Sequence, residues 1–208
     1  MILKTNGERL WDSLMEMATI GPGERGGSRR LALTDADIEG RNLFRKWADE
    51  AGCPFRLDTM GNLFVRRNGK NPEAPPVLAG SHLDTQPSGG RFDGILGVLG
   101  GLEVVRSLND HRIETESPVE IVVWTNEEGA RFYPAMMGSG VFSGIFDQSE
   151  IYTHLDLDGF TVEEELRRTK QLGDTPCKSF PIRAYYELHI EQGPILEAEN
   201  TKIGVVTG

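Results

Sequence analysis

Apolar residues recur at helical spacing near the start of the chain. Leu10, Trp11, Leu14, Met15 and Ala18 fall on one face of residues 8–18, which predicts an amphipathic helix. Gly21-Pro22-Gly23 ends it, and Gly26, Gly27 and Ser28 prolong a loop. Thr34, with Asp37 three residues on, makes a helix-start pair ahead of Ile38, Leu43, Phe44, Trp47 and Ala51. Gly52 and Pro54 stop that second helix. The period then changes: residues 55–59 and 63–67 flank Met60-Gly61-Asn62 and predict strand, turn, strand, followed by a polar loop over 68–76.

Two short, largely apolar runs, residues 77–80 and 119–125, enclose a helical pattern of Ile95, Val98, Leu99, Leu102, Val105 and Leu108. This is a β-α-β unit. Strands covered on both faces by helices have this composition, so an α/β sheet is the expected architecture. Thr161 with Glu164, ahead of Leu166, marks a later helix start. Residues 184–190 alternate Tyr186, Leu188 and Ile190 with Tyr185, Glu187 and His189, and predict another strand. Residues 202–208 predict one more, so the chain is expected to stop in or just after an apolar element. No internal repeat or low-complexity tract is present.

Composition narrows the partners. Thirty-two Asp+Glu against 22 Lys+Arg give the 208 residues a net charge of -10, which repels phosphate backbones and anionic lipid. No nucleic-acid or membrane partner is expected. No apolar run approaches the roughly 18–20 residues of a bilayer span and the start has no signal-peptide core, so a cytoplasmic location is expected. Cys53 and Cys177 are too few for a disulfide framework and lack the close pairing of a thiolate zinc site. A bound metal would have to use histidine and carboxylate.

The densest polar cluster is Gly80-Ser-His-Leu-Asp-Thr-Gln-Pro-Ser-Gly-Gly-Arg-Phe-Asp-Gly94, between the first buried strand and the crossover helix. A second, Asn126-Glu-Glu-Gly-Ala-Arg131, follows the next strand. If the two strands are parallel, both clusters emerge beyond their carboxyl ends, where sites form in open α/β sheets. Imidazole and carboxylate suit zinc, manganese, cobalt or nickel, and a carboxylate can bridge two ions. His82, Asp93 and Glu128 fit that description, and His189 could add a nitrogen if its strand lies alongside. Asp84, two residues from His82, is placed to accept the other ring N–H. Adjacent Glu127 and Glu128 point in different directions, so one can hold metal while the other stays free as a base.

Blander readings stand beside these. A lone strand-end histidine is more often structural or exposed, and a Glu-Glu pair after a strand is usually a solvated helix start. Gly94, Gly97, Gly100 and Gly101 carry neither Gly-Lys-Ser/Thr nor Gly-x-Gly-x-x-Gly, and read as close helix–sheet packing rather than a phosphate loop. Gly138-Ser139-Gly140 is not a nucleophile elbow. His111 and His154 receive no role, and the two cysteines read as inert small side chains.

Taken together, residues 80–94, Asn126-Glu-Glu-Gly-Ala-Arg-Phe132 and His189-Ile-Glu-Gln-Gly193 resemble the N-carbamoyl-amino-acid amidohydrolases. That family belongs to a binuclear-metal amidase and peptidase superfamily that also holds β-ureidopropionase and allantoate amidohydrolase. The resemblance implies a three-layer α/β/α catalytic domain of the zinc-peptidase type, of which residues 1–208 form the N-terminal part. It is expected to be incomplete, without the lid/dimerisation domain, the C-terminal return or a last metal-binding histidine. His82, Asp93 and His189 would hold one ion, and Asp93 would bridge to a second held also by Glu128. Glu127 would be the general acid/base, Asp84 the support of His82, and Gln192 a substrate contact. The cofactors implied are two divalent ions (Zn, Mn, Co or Ni), one of them retained here, and the family is usually homodimeric through the lid. The implied reaction is hydrolysis of a ureido C–N bond in an N-carbamoyl amino acid, impaired or absent in this chain alone. The allantoate branch, a dipeptidase or aminoacylase, and a non-catalytic metal-binding or interaction domain remain as alternatives.

Overall fold

A computed structural model describes residues 4–207 of the chain. Helix α1 (Gly7–Met17) starts where the Asn6 side chain accepts the Arg9 N–H. Helix α2 (Asp35–Glu50) starts at Thr34, whose hydroxyl accepts the Asp37 N–H, while the Asp37 carboxylate accepts the Leu33 N–H at 2.8 Å. Both helices have the expected bounds to within a residue or so. Strands β1 (Phe55–Leu57), two residues shorter than expected, and β2 (Leu63–Arg67) form the expected strand, turn, strand unit and pair antiparallel.

Strand β3 (Val77–His82), helix α3 (Ile95–Asp110) and strand β4 (Val119–Trp124) are the β-α-β unit, with β3 and β4 parallel. Helix α4 (Met137–Phe142), helix α5 (Gln148–Ile151) and helix α6 (Val162–Arg168) follow, the last opened by the Thr161–Glu164 capping box. Strand β5 (Ala184–Tyr186) and the short helix α7 (Ile195–Ala198) complete the elements among the described residues. The sheet order is β1-β2-β4-β3-β5, with the β1–β2 and β2–β4 pairs antiparallel and the β4–β3 and β3–β5 pairs parallel.

Alternation along the strands divides the interior into two cores. Leu63, Val65, Ile121 and Val123 pack with Leu14, Met17, Phe44, Trp47 and the apolar face of α3. Phe64, Leu78, Val122 and Trp124 pack on the other face with Met137, Phe142, Ile151 and Leu166. Helices therefore cover both faces, which is the expected α/β/α arrangement. Gly97 seats α3 on the sheet, since a β-carbon there would lie 2.8 Å from the Ser81 β-carbon. One charge inside β4, Glu120, is matched by Arg56 at 2.9 Å and Arg66 at 2.7 Å.

Two sequence expectations fail. The strand expected over residues 184–190 pairs only through Ala184–Tyr186, because beyond it the Glu187 side chain is held by the Ser81 hydroxyl at 2.6 Å and the Tyr185 hydroxyl at 2.8 Å. The strand expected over 202–208 is absent from residues 202–207; Gly208 lies outside the described residues. Ile203, Val205 and Val206 are exposed there, and an apolar run without a neighbouring strand among the described residues has nowhere to place its backbone hydrogen bonds. No helix among the described residues is long and apolar enough to cross a membrane.

Candidate metal centre

The parallel register makes the site. His82 pairs with Trp124, so the loops that carry Asp84 and Glu127 leave the sheet at the same rim. Ala79 pairs with Tyr186, the last pair of β3 and β5, and the chain beyond carries His189 to the rim where His82 stands. Their ring centroids are 6.0 Å apart. Asp93 reaches the same place from the turn before α3. One ligand atom each from His82, Asp93 and His189 lie within 4.8 Å of one another. Asp93 Oδ1 is 3.2 Å from His189 Nε2 and 3.9 Å from His82 Nε2.

Both imidazoles present the same nitrogen. His82 Nδ1 lies 2.8 Å from the Asp84 carbonyl and His189 Nδ1 lies 2.9 Å from the Ile190 carbonyl. A carbonyl only accepts, so the neutral ring hydrogen belongs on Nδ1 and Nε2 is left as a lone-pair donor facing Asp93. Gly94 shapes the seat of the inner ring: its φ is +74°, and a β-carbon there would lie 2.4 Å from the His82 imidazole. The sequence reading of this glycine as packing missed that contact; its place between Asp93 and a helix that lacks a side-chain cap was the available signal.

Asp84 supports His82 otherwise than expected. Its carboxylate lies 3.9 Å from Nδ1 and instead accepts the main-chain N–H groups of Glu127 at 3.3 Å and Glu128 at 3.2 Å; the backbone carbonyl is what holds the ring. A carboxylate with two main-chain donors in reach spans the two strand ends, and the carbonyl is left for the imidazole. Burial pushes the Asp84 carboxyl up to about 6, against the pull of His82. Burial acts to lower the His82 pKa, but the Asp84 and Glu127 carboxylates outweigh it and the ring is raised. A divalent ion would take the place of that proton.

Glu127 Oε2 is 3.3 Å from His82 Nε2, and burial raises its carboxyl above the ordinary range although His82 opposes this. Glu128 is not part of the three-residue group. Gln86 donates to its Oε2 at 2.7 Å, and its Oε1 is buried without a hydrogen-bond partner. The two neighbours thus diverge. Gln192 donates to Asp93 Oδ2 at 2.5 Å, so its amide rests on the carboxylate rather than standing free for a substrate. His154 contacts the Tyr133 carbonyl, and Cys53 and Cys177 are buried thiols whose pKa values burial raises.

The donor set fits a divalent ion: two neutral nitrogens, a carboxylate between them and an orphaned buried carboxylate oxygen nearby. Residues 78–206, which hold every one of these groups, match Peptidase family M20/M25/M40. The chain belongs to that family. An N-carbamoyl-L-amino-acid amidohydrolase of Rhizobium meliloti is 56% identical over 98% of this chain and 49% of its own length. A ureidoglycolate hydrolase of Arabidopsis thaliana is 32% identical over 99% of this chain and 45% of its own. The crystal structure of a hydantoinase/carbamoylase family amidase from Burkholderia ambifaria superposes with a TM-score of 0.98 at 54% identity, covering 100% of this chain and 51% of that one. The chain spans about half the length of these two relatives.

Proposed function

We propose that this chain carries the N-terminal part of the catalytic domain of a metal-dependent hydrolase that cleaves the ureido C–N bond of N-carbamoyl amino acids. The observation that carries this reading is the meeting of His82, Asp93 and His189, with ligand atoms within 4.8 Å of one another, beside a Glu127 oxygen 3.3 Å from His82. Likeness to N-carbamoyl-L-amino-acid amidohydrolases supports the substrate class. His82, Asp93 and His189 would hold one ion, and Asp93 with Glu128 would reach a second; zinc, manganese, cobalt and nickel all suit these donors. The lid, the dimer contact and a last histidine ligand would come from sequence outside residues 1–208, and the reaction would run in the cytoplasm.

A divalent ion in this place would polarise the carbonyl and lower the pKa of water toward about 7. The chain's own groups handle the proton. Glu127, half-buried and with a raised carboxyl, accepts it from the attacking water at Oε2 and returns it to the leaving nitrogen. Asp84 keeps Glu127 in place through the main-chain N–H, and its carbonyl keeps His82 Nε2 turned inward. Gln192 would leave Asp93 to meet the substrate. Addition of one water across the ureido C–N bond gives the amino acid and carbamate, which breaks down to ammonia and carbon dioxide.

Calorimetric titration of the 208-residue chain with zinc or manganese tests the reading. About one tight ion is expected; a chain that takes up none would discard it. In a full-length relative, Glu127→Gln at the matching position is expected to keep the ions and lose about 100- to 10,000-fold in turnover. The likeness to a ureidoglycolate hydrolase favours a second reading in which the ureido substrate is ureidoglycolate or allantoate. Turnover of these against N-carbamoyl amino acids separates the two.

A further inference from the structure

Beneath the metal centre lie four charged side chains with almost no contact with water: Arg30, Asp37 and Arg41 at 0% exposure and Asp84 at 1%. Their charges cancel. Each arginine grips the end of one of the two parallel strands that feed the site. Arg41, on α2, donates through Nε to both Asp37 oxygens at 3.3 and 3.2 Å, through Nη1 to the Gly61 carbonyl at 2.8 Å and through Nη2 to the Thr125 hydroxyl at 3.1 Å. Thr125 follows directly on β4 and stands two residues before Glu127.

Arg30, in the loop before α2, reaches the other strand end. Its Nε donates to the Leu83 carbonyl at 3.3 Å, one residue past His82, and its Nη1 to the Ile20 and Met17 carbonyls at 2.9 and 3.3 Å. Its backbone N–H donates to the Thr85 hydroxyl at 2.8 Å, and the Thr85 N–H returns to its carbonyl at 2.8 Å. The Asp84 carboxylate ties the strand ends together through the Glu127 and Glu128 N–H groups. Arg30 feels the charges of Asp37 and Asp84, and Asp84 feels Arg41, so the four act on one another electrostatically as well as through the backbone.

We propose that Arg30 and Arg41 are positioning residues of the metal centre: held by the charge-balanced buried quartet, they set the spacing between His82 on β3 and the Glu127–Glu128 pair beyond β4. Neither touches the ion or a substrate. This inference rests on the metal-binding reading of the site. A guanidinium suits the task because its planar fork can hold a carboxylate, a carbonyl and a hydroxyl at once, whereas an ammonium is a point charge with no such geometry. Groups that orient ligands from behind in this way typically alter metal affinity by about 10- to 100-fold when removed.

The test compares ion binding with stability in the whole 208-residue chain, using zinc for affinity and cobalt(II) for its visible spectrum. Arg41→Met alone leaves Asp37 buried and unpaired, so the informative variant is Asp37→Asn with Arg41→Met, which removes one charge of each sign. This pair is expected to melt cooperatively without metal, to bind zinc about 10- to 100-fold more weakly and to shift the cobalt bands. Arg41→Lys, which keeps the charge but not the fork, should fall between the pair and the parent, and it decides the matter if the pair does not fold. Arg9→Met, which cuts the distant Arg9–Glu103 pair of 2.8 Å, should lower the melting temperature and leave zinc affinity and the cobalt spectrum unchanged. Parent-like zinc affinity in the folded pair, or in Arg41→Lys if the pair does not fold, would overturn the inference. A parent chain that binds no ion would instead remove the metal reading, and this inference with it.

Discussion

The two histidines of the site come from regions of opposite character. His82 stands at the end of a central strand, its side chain 1% exposed, its ring seated on Gly94 and held by the Asp84 carbonyl, with Arg30 on the carbonyl of the next residue, Leu83. His189 stands beyond an edge strand of three paired positions, its side chain 30% exposed, in a segment that continues to Ile203, Val205 and Val206 with little cover. The fold thus encloses His82 on all sides, while it leaves His189 with less around it to hold the ring in place. Ordering a loosely held segment costs conformational entropy that a preformed strand end has already lost on folding.

Ion binding should expose the difference most strongly. His82→Ala and Asp93→Ala are expected to weaken zinc by more than the roughly 100-fold that loss of a mere supporting group can cost. His189→Ala should cost less than either, since its segment also gives back part of the ordering entropy. Equal losses for the two histidines in calorimetry would contradict the comparison. The next largest contrast is in stability. Phe64→Ala, which empties a side chain 2% exposed at the centre of one core, should cost about 3–5 kcal/mol in urea unfolding. Val206→Ala, at 94% exposure, should stay within about 0.5 kcal/mol of the parent.

Gly94→Ala sharpens the picture of the rigid half. A φ of +74° and a β-carbon 2.4 Å from the His82 ring should cost about 1–3 kcal/mol and weaken zinc at the same time. If zinc binding is unaltered, the ring does not depend on that seat. A further effect is expected with acid, at Glu103 midway along α3. Burial acts to raise its carboxyl, but Arg9, the Asn6 N–H and Ser107 outweigh this and hold it below the ordinary range. A lowered folded value means that the contribution is complete above the ordinary carboxyl pKa of about 4.3 and is lost as pH falls through the folded value. Glu103→Gln should therefore be less stable near neutral pH and converge on the parent in acid; parallel urea midpoints at all pH values would disprove the assignment.

Much of this was legible in residue pattern. The β-α-β unit could be read because strands covered on both faces are short and apolar while the helix between them keeps its own period, and Thr34 and Thr161 announced their helices by the residues three positions on. His82, Asp93 and His189 were recognisable as candidate ligands from chemistry and resemblance, and the fold brings them together. The support around them was not. Nothing local distinguishes the Asp84 carbonyl from its carboxylate as the partner of His82, because that choice follows from where the Glu127 and Glu128 N–H groups arrive. Arg30 and Arg41 look like ordinary polar residues of a loop and a helix, and only packing reveals them as fully buried.

The failed strand over residues 202–207 teaches the same distinction from the other side. Alternation of apolar residues is a local property, but a strand exists only where a neighbour accepts and donates its backbone hydrogen bonds. Periodicity, capping residues and ligand chemistry are carried by short stretches of chain, so the amino-acid order alone determined the principal helices and strands, the layering and the candidate metal-binding residue types. Register across the sheet, the burial of a neutral charge quartet and the turning of each imidazole depend on residues far apart in sequence. Those were decided only when the folded chain brought the partners within bonding distance.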